Sequence, residues 1–508
     1  MSRADFNLHA HFDRGFARTP DKELLVTGEG ASYRYRDIGE LSARMASCLA
    51  ALGVGPGDRV SVQIEKSPEG LALYLACLKA GFVYHPLNMA YTTKELGYFL
   101  SDAEPAAVIC DGRNEASIAP LAGKAGATHL LTLDADGSGT LSERAAGADL
   151  GFATLPRAKD DLAALLYSSG TTGVPKGIML THGNLLSNTE TLVEAWGFTA
   201  DDRLLHALPV FHVHGLFVAT GCVLASGASM RWLKAFRADQ AIRHLPECTV
   251  MMGVPTYYTR LLAEPAFTAD VARSVRLFIS GSAPLLAETF ADFRARTGHA
   301  ILERYGMTET NMNTSNPLEG ERKPGTVGPP LPGVEVRVVG DGGRVLAANE
   351  IGNLQVRGPN VFAGYWKLPD KTAQDFTADG FFDTGDTALV DDDGYVSIVG
   401  RTKDVVITGG LNVYPREVEL TIDELPGVGE SAVIGVPHAD LGECVVAVVV
   451  PEAGADPDEG AIIAALKQEL AAFKIPKRIL IVDELPRNTM AKVQKNVLRE
   501  TYGDLFRS

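Results

Sequence analysis

The sequence predicts an α/β protein with a large N-terminal domain of layered α/β subdomains plus a small β subdomain, followed by a small α+β C-terminal domain. At 508 residues the chain is too long for one hydrophobic core, and 46% of its residues are hydrophobic, as in globular proteins. Helix and strand patterns alternate through most of the chain, which predicts layered sheets of parallel strands. From about Gly325 the pattern changes to short strands separated by glycine turns.

Helix and strand signals follow one another in the first part of the chain. Apolar residues from Leu41 to Leu52 mark a helix face that ends at Gly53. A second helix opens at Pro68 and stops at Gly81, because proline favours the first helical position and glycine the residue after the last. A third helix is predicted over 93–101. The strands predicted along this part are 59–64, 82–84, 106–110, 203–207, 249–253 and 275–280, and an apolar stretch covers 162–166.

The later part of the chain predicts the two smaller bodies. Short β-type runs at 334–339, 352–356 and 395–399 predict the β subdomain. The segment 400–404, Gly-Arg-Thr-Lys-Asp, separates it from a final stretch with its own alternation. The elements predicted for this C-terminal α+β domain are helices near 415–424, 459–472 and 493–502 and strands at 431–436, 445–450 and 478–482.

The composition excludes several classes of partner. A formal net charge of −16 argues against nucleic acid or an anionic membrane surface, because both are bound through clustered Lys and Arg. The N-terminus lacks the apolar segment of a signal peptide, and no stretch is apolar for long enough to span a membrane, so we expect a soluble, cytoplasmic protein. Six cysteines without a CxxC pair fit reduced core thiols better than disulfides or a zinc site: Cys48, Cys77, Cys110, Cys222, Cys248 and Cys444.

The segment 167–177, Tyr-Ser-Ser-Gly-Thr-Thr-Gly-Val-Pro-Lys-Gly, is rich in groups that bind phosphate. Its four Ser and Thr hydroxyls, three glycines and Lys176 can direct N–H groups, hydroxyls and one cation at phosphoryl oxygens, ahead of a helix predicted over 184–195. A flexible connection is the alternative interpretation. Because Lys176 is followed by Gly177 rather than Ser or Thr, the Walker A pattern is not matched, which argues against an ordinary P-loop NTPase.

Two further clusters suggest pocket walls. The run 209–215 contains His212 and His214, for which pocket lining is favoured over metal ligation because no cysteine or acidic residue lies nearby in the sequence. The run 278–285, Phe-Ile-Ser-Gly-Ser-Ala-Pro-Leu, is predicted as a strand leading through small residues to a proline at a helix start. Such small residues let a flat ring approach the backbone, and a simple strand-to-helix turn is the alternative.

Three more polar clusters follow. In 303–310, Glu-Arg-Tyr-Gly-Met-Thr-Glu-Thr, Glu309 beside phosphates would suit Mg²⁺, and a solvated surface charge is the alternative. In 382–386, Phe-Asp-Thr-Gly-Asp, the last carboxylate is predicted to pair with Arg401 and suits ribose hydroxyls. The run 488–495 places Lys492 at a predicted helix start, where a lysine by itself is most often an ordinary surface residue.

Taken together and in this order, the clusters resemble the adenylate-forming superfamily of acyl-CoA synthetases, nonribosomal adenylation domains and luciferases over essentially the whole chain. The resemblance implies that a carboxylate is joined to AMP with loss of pyrophosphate and then transferred to the thiol of coenzyme A. It also implies that ATP and coenzyme A are co-substrates and that Mg²⁺ is the metal ion.

The resemblance also implies a role for each matched residue. Catalysis would fall to Lys492, Thr308 and Glu309, with Glu309 binding Mg²⁺ and Asp386 and Arg401 holding the ribose. The remaining ATP-binding residues would be Ser168, Ser169, Gly170, Thr171, Thr172, Gly173 and Lys176 at the phosphates and Ser282, Ala283, Pro284, Glu303, Arg304 and Tyr305 around adenine, together with Gly306 and Met307.

By the same resemblance, Lys403 is the hinge about which the small C-terminal domain rotates between the two half-reactions. The implied domains are 1–400, a hinge at 401–404, and a mobile domain at 405–508 that carries the catalytic lysine. Coenzyme A would bind at Gly409, Gly410 and Leu411. The family usually has glycine before the catalytic lysine, whereas this chain has Ala491. If that position needs φ > 0, alanine would adopt it only at a cost of about 1–2 kcal/mol and would misplace the lysine.

The acid is predicted from Arg260, because related synthetases for fatty and aryl acids commonly have an apolar residue there. An arginine calls for a second carboxylate, and a solvent-facing arginine is the alternative. The sequence segments around Arg260 and Ser282 and the later motifs resemble malonyl-CoA synthetases. In those enzymes the matching arginine and serine bind the distal carboxylate. Here these residues are Arg260 and Ser282, with His214 and Met307 beside them. Malonate, and methylmalonate as a possible second substrate, follow from this resemblance.

Other interpretations remain at this point. The chain could activate another short acid, bind nucleotide without catalysis, or serve a carrier protein, although no carrier domain follows Ser508. The segment around Lys492 resembles segments that a lysine acetyltransferase modifies, and acetylation would remove the charge that the first step needs. The sequence gives no oligomeric state.

Overall fold

The computed structural model describes residues 5–168, 175–408, 411–438, 441–488 and 492–506. The chain divides into two compact units: unit 1 comprises Met1–Glu335 and Val356–Gly380, and unit 2 comprises Val336–Gln355 and Phe381–Ser508. The domain boundaries given above stay predictions.

The strands are short and most lie in the interior. They are β1 Glu23–Thr27, β2 Ser32–Arg34, β3 Arg59–Gln63, β4 Val83–Pro86, β5 Ala107–Cys110, β6 His129–Thr132, β7 Leu162–Ser168, β8 Lys176–Thr181, β9 Arg203–His206, β10 Ser229–Trp232, β11 Val250–Gly253, β12 Leu277–Ser280, β13 Leu302–Met307, β14 Asn311–Ser315, β15 Glu335–Val339, β16 Gly352–Arg357, β17 Gly364–Tyr365, β18 Phe382–Val390, β19 Val396–Arg401, β20 Val406–Thr408, β21 Leu411–Val413, β22 Val428–His438, β23 Gly442–Pro451 and β24 Arg478–Ile481.

The helices connect and cover these strands. They are α1 Leu8–Arg18, α2 Tyr35–Ala51, α3 Pro68–Ala80, α4 Thr93–Ala103, α5 Glu115–Lys124, α6 Thr140–Ala145, α7 His182–Ala195, α8 Thr220–Ser226, α9 Ala238–His244, α10 Pro255–Leu262, α11 Ala269–Ala272, α12 Ala287–Thr297, α13 Pro369–Asp375, α14 Pro415–Asp423, α15 Glu459–Glu469 and α16 Lys495–Tyr502.

Unit 1 contains two mixed sheets. Over the described residues one has the order β14-β13-β12-β11-β9-β10-β1-β2 and the other β17-β8-β7-β4-β3-β5-β6. The interior pairs are parallel, as the alternation predicts, whereas β2, β14, β8 and β17 pair antiparallel. The antiparallel pairs matter for function because two of them carry predicted site residues.

Helix α3 shows why these residues fold as predicted. The Ser67 hydroxyl caps its N-terminus by accepting from the Gly70 N–H at 3.0 Å, and Gly81 ends it in the left-handed region at φ 71°. Most of its side chains are buried, so the helix lies inside unit 1 rather than on its surface. Tyr74 contacts Tyr84 of β4 on one side and Phe217 on the other.

Unit 2 contains the β15-β16-β18-β19 sheet and a sheet in which β21, β20, β23 and β22 follow one another, with β24 paired to β23. Long antiparallel pairing of β22 with β23 supplies most of its apolar core, together with α14 and α15. Two predicted helix boundaries are wrong. Helix α15 ends at Glu469 because Leu470 is extended, and α16 begins at Lys495, so Lys492 precedes the helix.

No helix within the described ranges is long and apolar enough to cross a membrane. All six cysteines are buried and unpaired, which confirms the prediction of core thiols.

Candidate active site

The predicted phosphate loop connects the antiparallel strands β7 and β8, whose last paired residues are Ser168 and Lys176. Strand β8 therefore lies between the loop and α7, the helix predicted to follow it. The base of the hairpin is held by Tyr167, whose hydroxyl donates to Asp102 at 2.6 Å, and by Tyr98, whose hydroxyl donates to the Pro175 carbonyl at 2.7 Å. Ser169, Gly170, Thr171, Thr172 and Gly173 lie outside the described residues.

Lys176 and Glu309 come together around Tyr365, a residue that the sequence analysis missed. The Lys176 ammonium lies 4.8 Å from the centre of the Tyr365 ring. Burial, followed by the negative charge of Glu309, raises the pKa of Tyr365. A loop cation and a buried carboxylate 133 positions apart in sequence thus share one neighbour. Tyr365 lies on β17, whose pairing with β8 only the fold reveals.

Glu309 lies in the turn that joins β13 to the antiparallel strand β14 and is 8% exposed. Its own backbone carbonyl accepts from the Phe362 N–H at 2.8 Å, which fixes the turn. Gly306 is required at the bend, because a Cβ there would lie 1.9 Å from the Asn311 carbonyl oxygen.

The donor set around Glu309 fits Mg²⁺ held jointly with a nucleotide. Mg²⁺ in such sites takes one or two carboxylates and completes its shell with phosphate oxygens and water. Across the part of the chain that the structure describes, no group of three or more His, Cys, Asp or Glu side chains forms a dedicated metal cage. The buried carboxylate of Glu309, which shares the neighbour Tyr365 with Lys176, fits this mode of binding.

Ser282 and His214 form one wall of the candidate acid pocket. The Ser282 hydroxyl lies 3.2 Å from Nδ1 of His214, and Ser282 adopts the left-handed region at φ 71°. A non-glycine residue there is strained, and such strain concentrates at functional sites. Burial lowers the pKa of His214 well below its ordinary value, and the positive charge of Arg304 lowers it further, so the imidazole is neutral.

Arg304 is buried behind this wall. It is 2% exposed, and its Nε and Nη2 find no hydrogen-bond partner among the residues that the structure describes. Burial lowers the pKa of Arg304 to about 10, with the charge of Glu303 acting in the opposite direction. A guanidinium whose donors are buried and unused is costly unless an anion completes it.

A second buried cation, Lys66, was also missed by the sequence analysis. Its ammonium donates to Nδ1 of His206 at 2.8 Å and to the carbonyls of His206 and Leu208, each at 2.9 Å, and lies over the Trp232 ring. Three N–H groups thus meet three acceptors. The partners lie 140 positions or more from Lys66, so no local sequence pattern could reveal them.

His206 also contacts the segment that carries His214. Its Nε2 lies 3.0 Å from the carbonyl oxygen of Gly215, which follows His214. Residues His214–Ala219 form a π-helical turn, a conformation that is rare and is found most often at functional sites. Gly215 is needed there because a Cβ would lie 2.0 Å from the Pro209 carbonyl oxygen. Lys66 and His206 therefore hold the turn that presents His214.

Arg260 lies near the end of α10 and is exposed. Its charge acts on the hydroxyl of Tyr257, whose pKa burial raises to about 12. Arg260 makes no hydrogen bond or ion pair with the described part of the chain. It is therefore available to an anion, but less desolvated than Arg304.

The residues predicted around adenine lie on two neighbouring segments of unit 1. Ala283 and Pro284 are exposed in the connection after β12, and Tyr305 and Met307 are half-buried near the end of β13. The connection is fastened to β13, because the Leu285 N–H donates to the carboxylate of Glu303 at 2.9 Å. Pro284 does not open a helix as predicted, since α12 begins only at Ala287.

In unit 2, Asp386 and Arg401 pair as predicted. They are directly opposite on β18 and β19, with Arg401 Nε 2.7 Å from Asp386 Oδ1. Asp386 is buried and Arg401 is half-exposed. The carboxylate is thus fixed by a charge-assisted hydrogen bond and can accept from further hydroxyl groups.

The other predicted residues of unit 2 are exposed. Lys403 lies in a short 3₁₀ turn, Thr402–Asp404, Leu411 begins β21, and Lys492 lies just before α16. Gly409 and Gly410 lie outside the described residues, as does Ala491.

Comparison with known proteins gives the class. The model of the AMP-binding enzyme family matches residues 12–366, and that of the AMP-binding enzyme C-terminal domain matches residues 417–492. The chain belongs to the AMP-binding enzyme family, which confirms the superfamily predicted from its motifs.

Similar proteins cover nearly the whole chain. Malonate--CoA ligase of Arabidopsis thaliana is 34% identical over 525 residues, which cover 94% of this chain and 86% of the relative. Feruloyl-CoA synthase of an Amycolatopsis species is 36% identical over 491 residues, which cover 96% and 97% of the two chains. The crystal structure of ATP-bound MatB from Rhodopseudomonas palustris is 54% identical with a TM-score of 0.96, covering 99% of this chain and 100% of that one. The predicted fold class is confirmed.

Proposed function

We propose that this chain ligates malonate to coenzyme A through a malonyl-adenylate, and that methylmalonate is a second substrate. The observation that carries the proposal is the buried Arg304, with two unused donors, close to the Ser282–His214 pair. Likeness to a malonate--CoA ligase supports it, although a feruloyl-CoA synthase is equally similar overall. Overall sequence identity therefore does not determine which acid is the substrate, so the choice depends on the residues of the acid pocket.

The reaction has two steps. A carboxylate oxygen of malonate attacks the α-phosphorus of ATP, and the bond to the departing pyrophosphate breaks. The sulfur of coenzyme A then attacks the acyl carbon, AMP leaves, and the thiol proton is released. Mg²⁺ at Glu309 would supply positive charge to the phosphates.

Each residue group has a proposed part in this reaction. The loop 168–176 holds the β- and γ-phosphates, Thr308 contacts the α-phosphate, and Lys492 supplies the cation for the charge that develops in the first step. Adenine lies between the connection 282–284 and the strand segment 303–307. Asp386 with Arg401 binds the ribose.

We propose that the distal carboxylate of malonate is bound by Arg304 as well as by Arg260 and Ser282. On strand β13 successive side chains point to opposite faces, so Arg304 does not share the face of Glu303 and Tyr305 toward adenine. The Arg304 charge acts on His214, which lies 3.2 Å from the Ser282 hydroxyl, and this position favours the acid instead. Both arginines would then bind the carboxylate that does not react with ATP.

The small domain is proposed to rotate about Lys403 after adenylation. Rotation would withdraw Lys492 and bring the segment 409–411 to coenzyme A, which separates the two half-reactions. The boundaries 1–400, 401–404 and 405–508 belong to this proposal.

The test is AMP formation dependent on coenzyme A with malonate, methylmalonate, acetate and succinate. Arg304→Met and Arg260→Ala are each expected to lower kcat/KM for malonate by about 30-fold or more, because an unpaired charge is left with the substrate. Arg273→Ala, which removes a surface arginine paired with Asp270, is the matched control.

The outcomes separate the alternatives. Acetate used as well as malonate, with both variants unaffected, would establish a synthetase for another short acid. No turnover with any acid, despite ATP binding, would indicate an impaired nucleotide-binding homologue and direct attention to Ala491.

Two regulatory and cellular features belong to the proposal. Lys492 is exposed, and we propose that a lysine acetyltransferase modifies it and so stops adenylation. Mass spectrometry that finds only unmodified Lys492 in cells containing such an enzyme would count against this. Six buried thiols suit a reducing compartment such as the cytoplasm.

A further inference from the structure

The segment that carries Lys492 is closed at its base by main-chain contacts. Arg487 and Val493 form an isolated antiparallel bridge, and the Asn488 N–H donates to the Lys492 carbonyl at 2.9 Å. The Lys492 N–H in turn donates to Oδ1 of Asn488 at 3.0 Å, and the Gln494 N–H donates to the Pro486 carbonyl at 2.8 Å. The backbone of Lys492 therefore belongs to an ordered loop base, while its side chain is exposed.

An ion pair between Lys495 and Glu419 fastens this base to the body of unit 2. Lys495 Nζ lies 2.5 Å from Glu419 Oε1, and the two side chains are 19% and 7% exposed. The same carboxylate accepts from the Val433 N–H at 2.8 Å and faces the Arg416 guanidinium at 3.8 Å. One buried carboxylate thus joins helix α14, strand β22 and the first residue of α16.

The other end of the loop carries a more exposed ion pair. Arg487 pairs with Glu430, but both side chains are about a third exposed, and exposed pairs contribute little. The Lys495–Glu419 pair is shielded from water, and breaking such a pair leaves a buried charge uncompensated. Of these two ion pairs, the one that follows Lys492 is therefore the one shielded from water.

Helix α16 is also tied to the segment that contains the predicted hinge. Arg499 lies one turn after Lys495, and its Nη2 is 2.6 Å from Asp404 Oδ1. One face of α16 thus bonds to α14 through Lys495 and to the Thr402–Asp404 turn through Arg499. Helix α16 therefore connects the Thr402–Asp404 turn to the loop base through these two ion pairs.

We propose that Lys495 is a positioning residue for Lys492, acting through its buried pair with Glu419; this inference rests on the proposed function. Lys495 does not itself touch the substrates. It fixes the backbone three residues after Lys492, so that the Lys492 ammonium is presented from a defined point. Adenylation needs that cation, whereas thioester formation does not use it.

The experiment measures the two half-reactions separately. Lys495→Met and Glu419→Gln are expected to slow malonate-dependent ATP–pyrophosphate exchange by about 10- to 100-fold through kcat, because a misplaced group loses its near-attack geometry. Formation of malonyl-CoA from supplied malonyl-adenylate should stay within about twofold of wild type, since it does not depend on Lys492. Lys495→Arg should restore exchange, because arginine keeps the charge.

Controls distinguish this role from loss of folding. Lys467→Met, at an exposed lysine of α15, should leave both half-reactions unchanged. Equal loss of both half-reactions in Lys495→Met would overturn the positioning role and indicate a structural one. Unchanged exchange in that variant would overturn it directly.

A measurement without substrate separates this inference from the proposed function. Amide hydrogen exchange at Asn488 and Gln494, whose N–H groups donate to the Lys492 and Pro486 carbonyls, should accelerate at least tenfold in Lys495→Met, with strand β23 unchanged as an internal reference. Unaltered exchange at the loop base would contradict the inference. A wild-type protein that does not adenylate malonate, but whose variant shows the faster amide exchange, would refute only the proposed substrate.

Discussion

The guanidinium of Arg304 lies directly against the backbone of Gly281. A Cβ built on Gly281 would come within 2.4 Å of Arg304 Cζ and 2.5 Å of Nη1. Gly281 directly follows β12, whose last residue, Ser280, pairs with Glu303, so its role is to leave space for the neighbouring Arg304. The glycine in the Ser-Gly-Ser-Ala segment therefore sets the position of the buried cation.

Gly281→Ala is expected to displace Arg304 and to lower kcat/KM for malonate by about 10- to 100-fold, since even a 1 Å displacement of a binding group is costly. Steady-state kinetics checks this. Gly123→Ala, at an open position in α5, is the control and should leave activity unchanged while stabilising the protein slightly. Full activity in Gly281→Ala would show that Arg304 does not contact the acid.

Arg304→Met should stabilise the unliganded protein while lowering kcat/KM for malonate by about 30-fold or more. The substitution removes a buried charge with unused donors and keeps an apolar side chain of similar length, so we expect a gain of about 1–4 kcal/mol. Thermal unfolding without substrates measures the first effect and AMP formation the second.

Saturating malonate provides the check on this trade-off. It should raise the melting temperature of wild type and have no effect on Arg304→Met, because only the former binds the distal carboxylate. A variant that is less stable than wild type and retains malonate-dependent stabilisation would refute this role of Arg304.

Arg304 also shows which features of the site could be predicted from the sequence and which could not. The order of the clusters predicted the family and the polar loops, because phosphate and metal binding require particular residue types close together. The motif 303–305 assigned all three of its side chains to ATP binding. On a strand, however, successive side chains alternate, which directs Arg304 away from its neighbours. Its meeting with Gly281 and His214 depends on the pairing of β12 with β13, which no local pattern specifies.

Lys66 was missed for a related reason. The local sequence shows a lysine before a helix start, where a surface position is expected, yet its acceptors come from residues 206 and 208. By contrast, the caps of α3 and the Asp386–Arg401 pair were predictable, because their partners are close in sequence or set by motif order. For both Arg304 and Lys66, the missing information is which residues distant in sequence they contact.

Lys66→Met is expected to destabilise the protein by about 2–4 kcal/mol, since it leaves buried acceptors at His206 and Leu208 without a donor. Chemical denaturation followed by tryptophan fluorescence measures this. The emission of Trp232 should also shift, because its ring loses a cation at 4.2 Å. Lys94→Met, at an exposed residue of α4, should change stability by less than about 0.5 kcal/mol. Equal stability of both variants would refute the structural role of the network.

Asp423 should make the stability of unit 2 depend on pH. Burial raises the pKa of this carboxyl from 3.8 to about 6, with the Ser431 hydroxyl, a donor at 2.7 Å, and then the Arg416 charge opposing the rise. A raised pKa means that the folded state binds the proton more tightly than the unfolded chain. The stabilisation is present in full below about pH 4 and is lost as the pH rises through 6.

Asp423→Asn keeps an acceptor for Ser431 and removes the charge. It should stabilise unit 2 at pH 7.5 by at most about 3 kcal/mol and have little effect at pH 4, so the difference from wild type should appear between those values. Calorimetry is the suitable measurement, because the three tryptophans, Trp196, Trp232 and Trp366, all lie in unit 1 and do not report on unit 2. A variant that is destabilised at pH 7.5, or whose difference from wild type does not change with pH, would show that the buried carboxylate is not the titrating group.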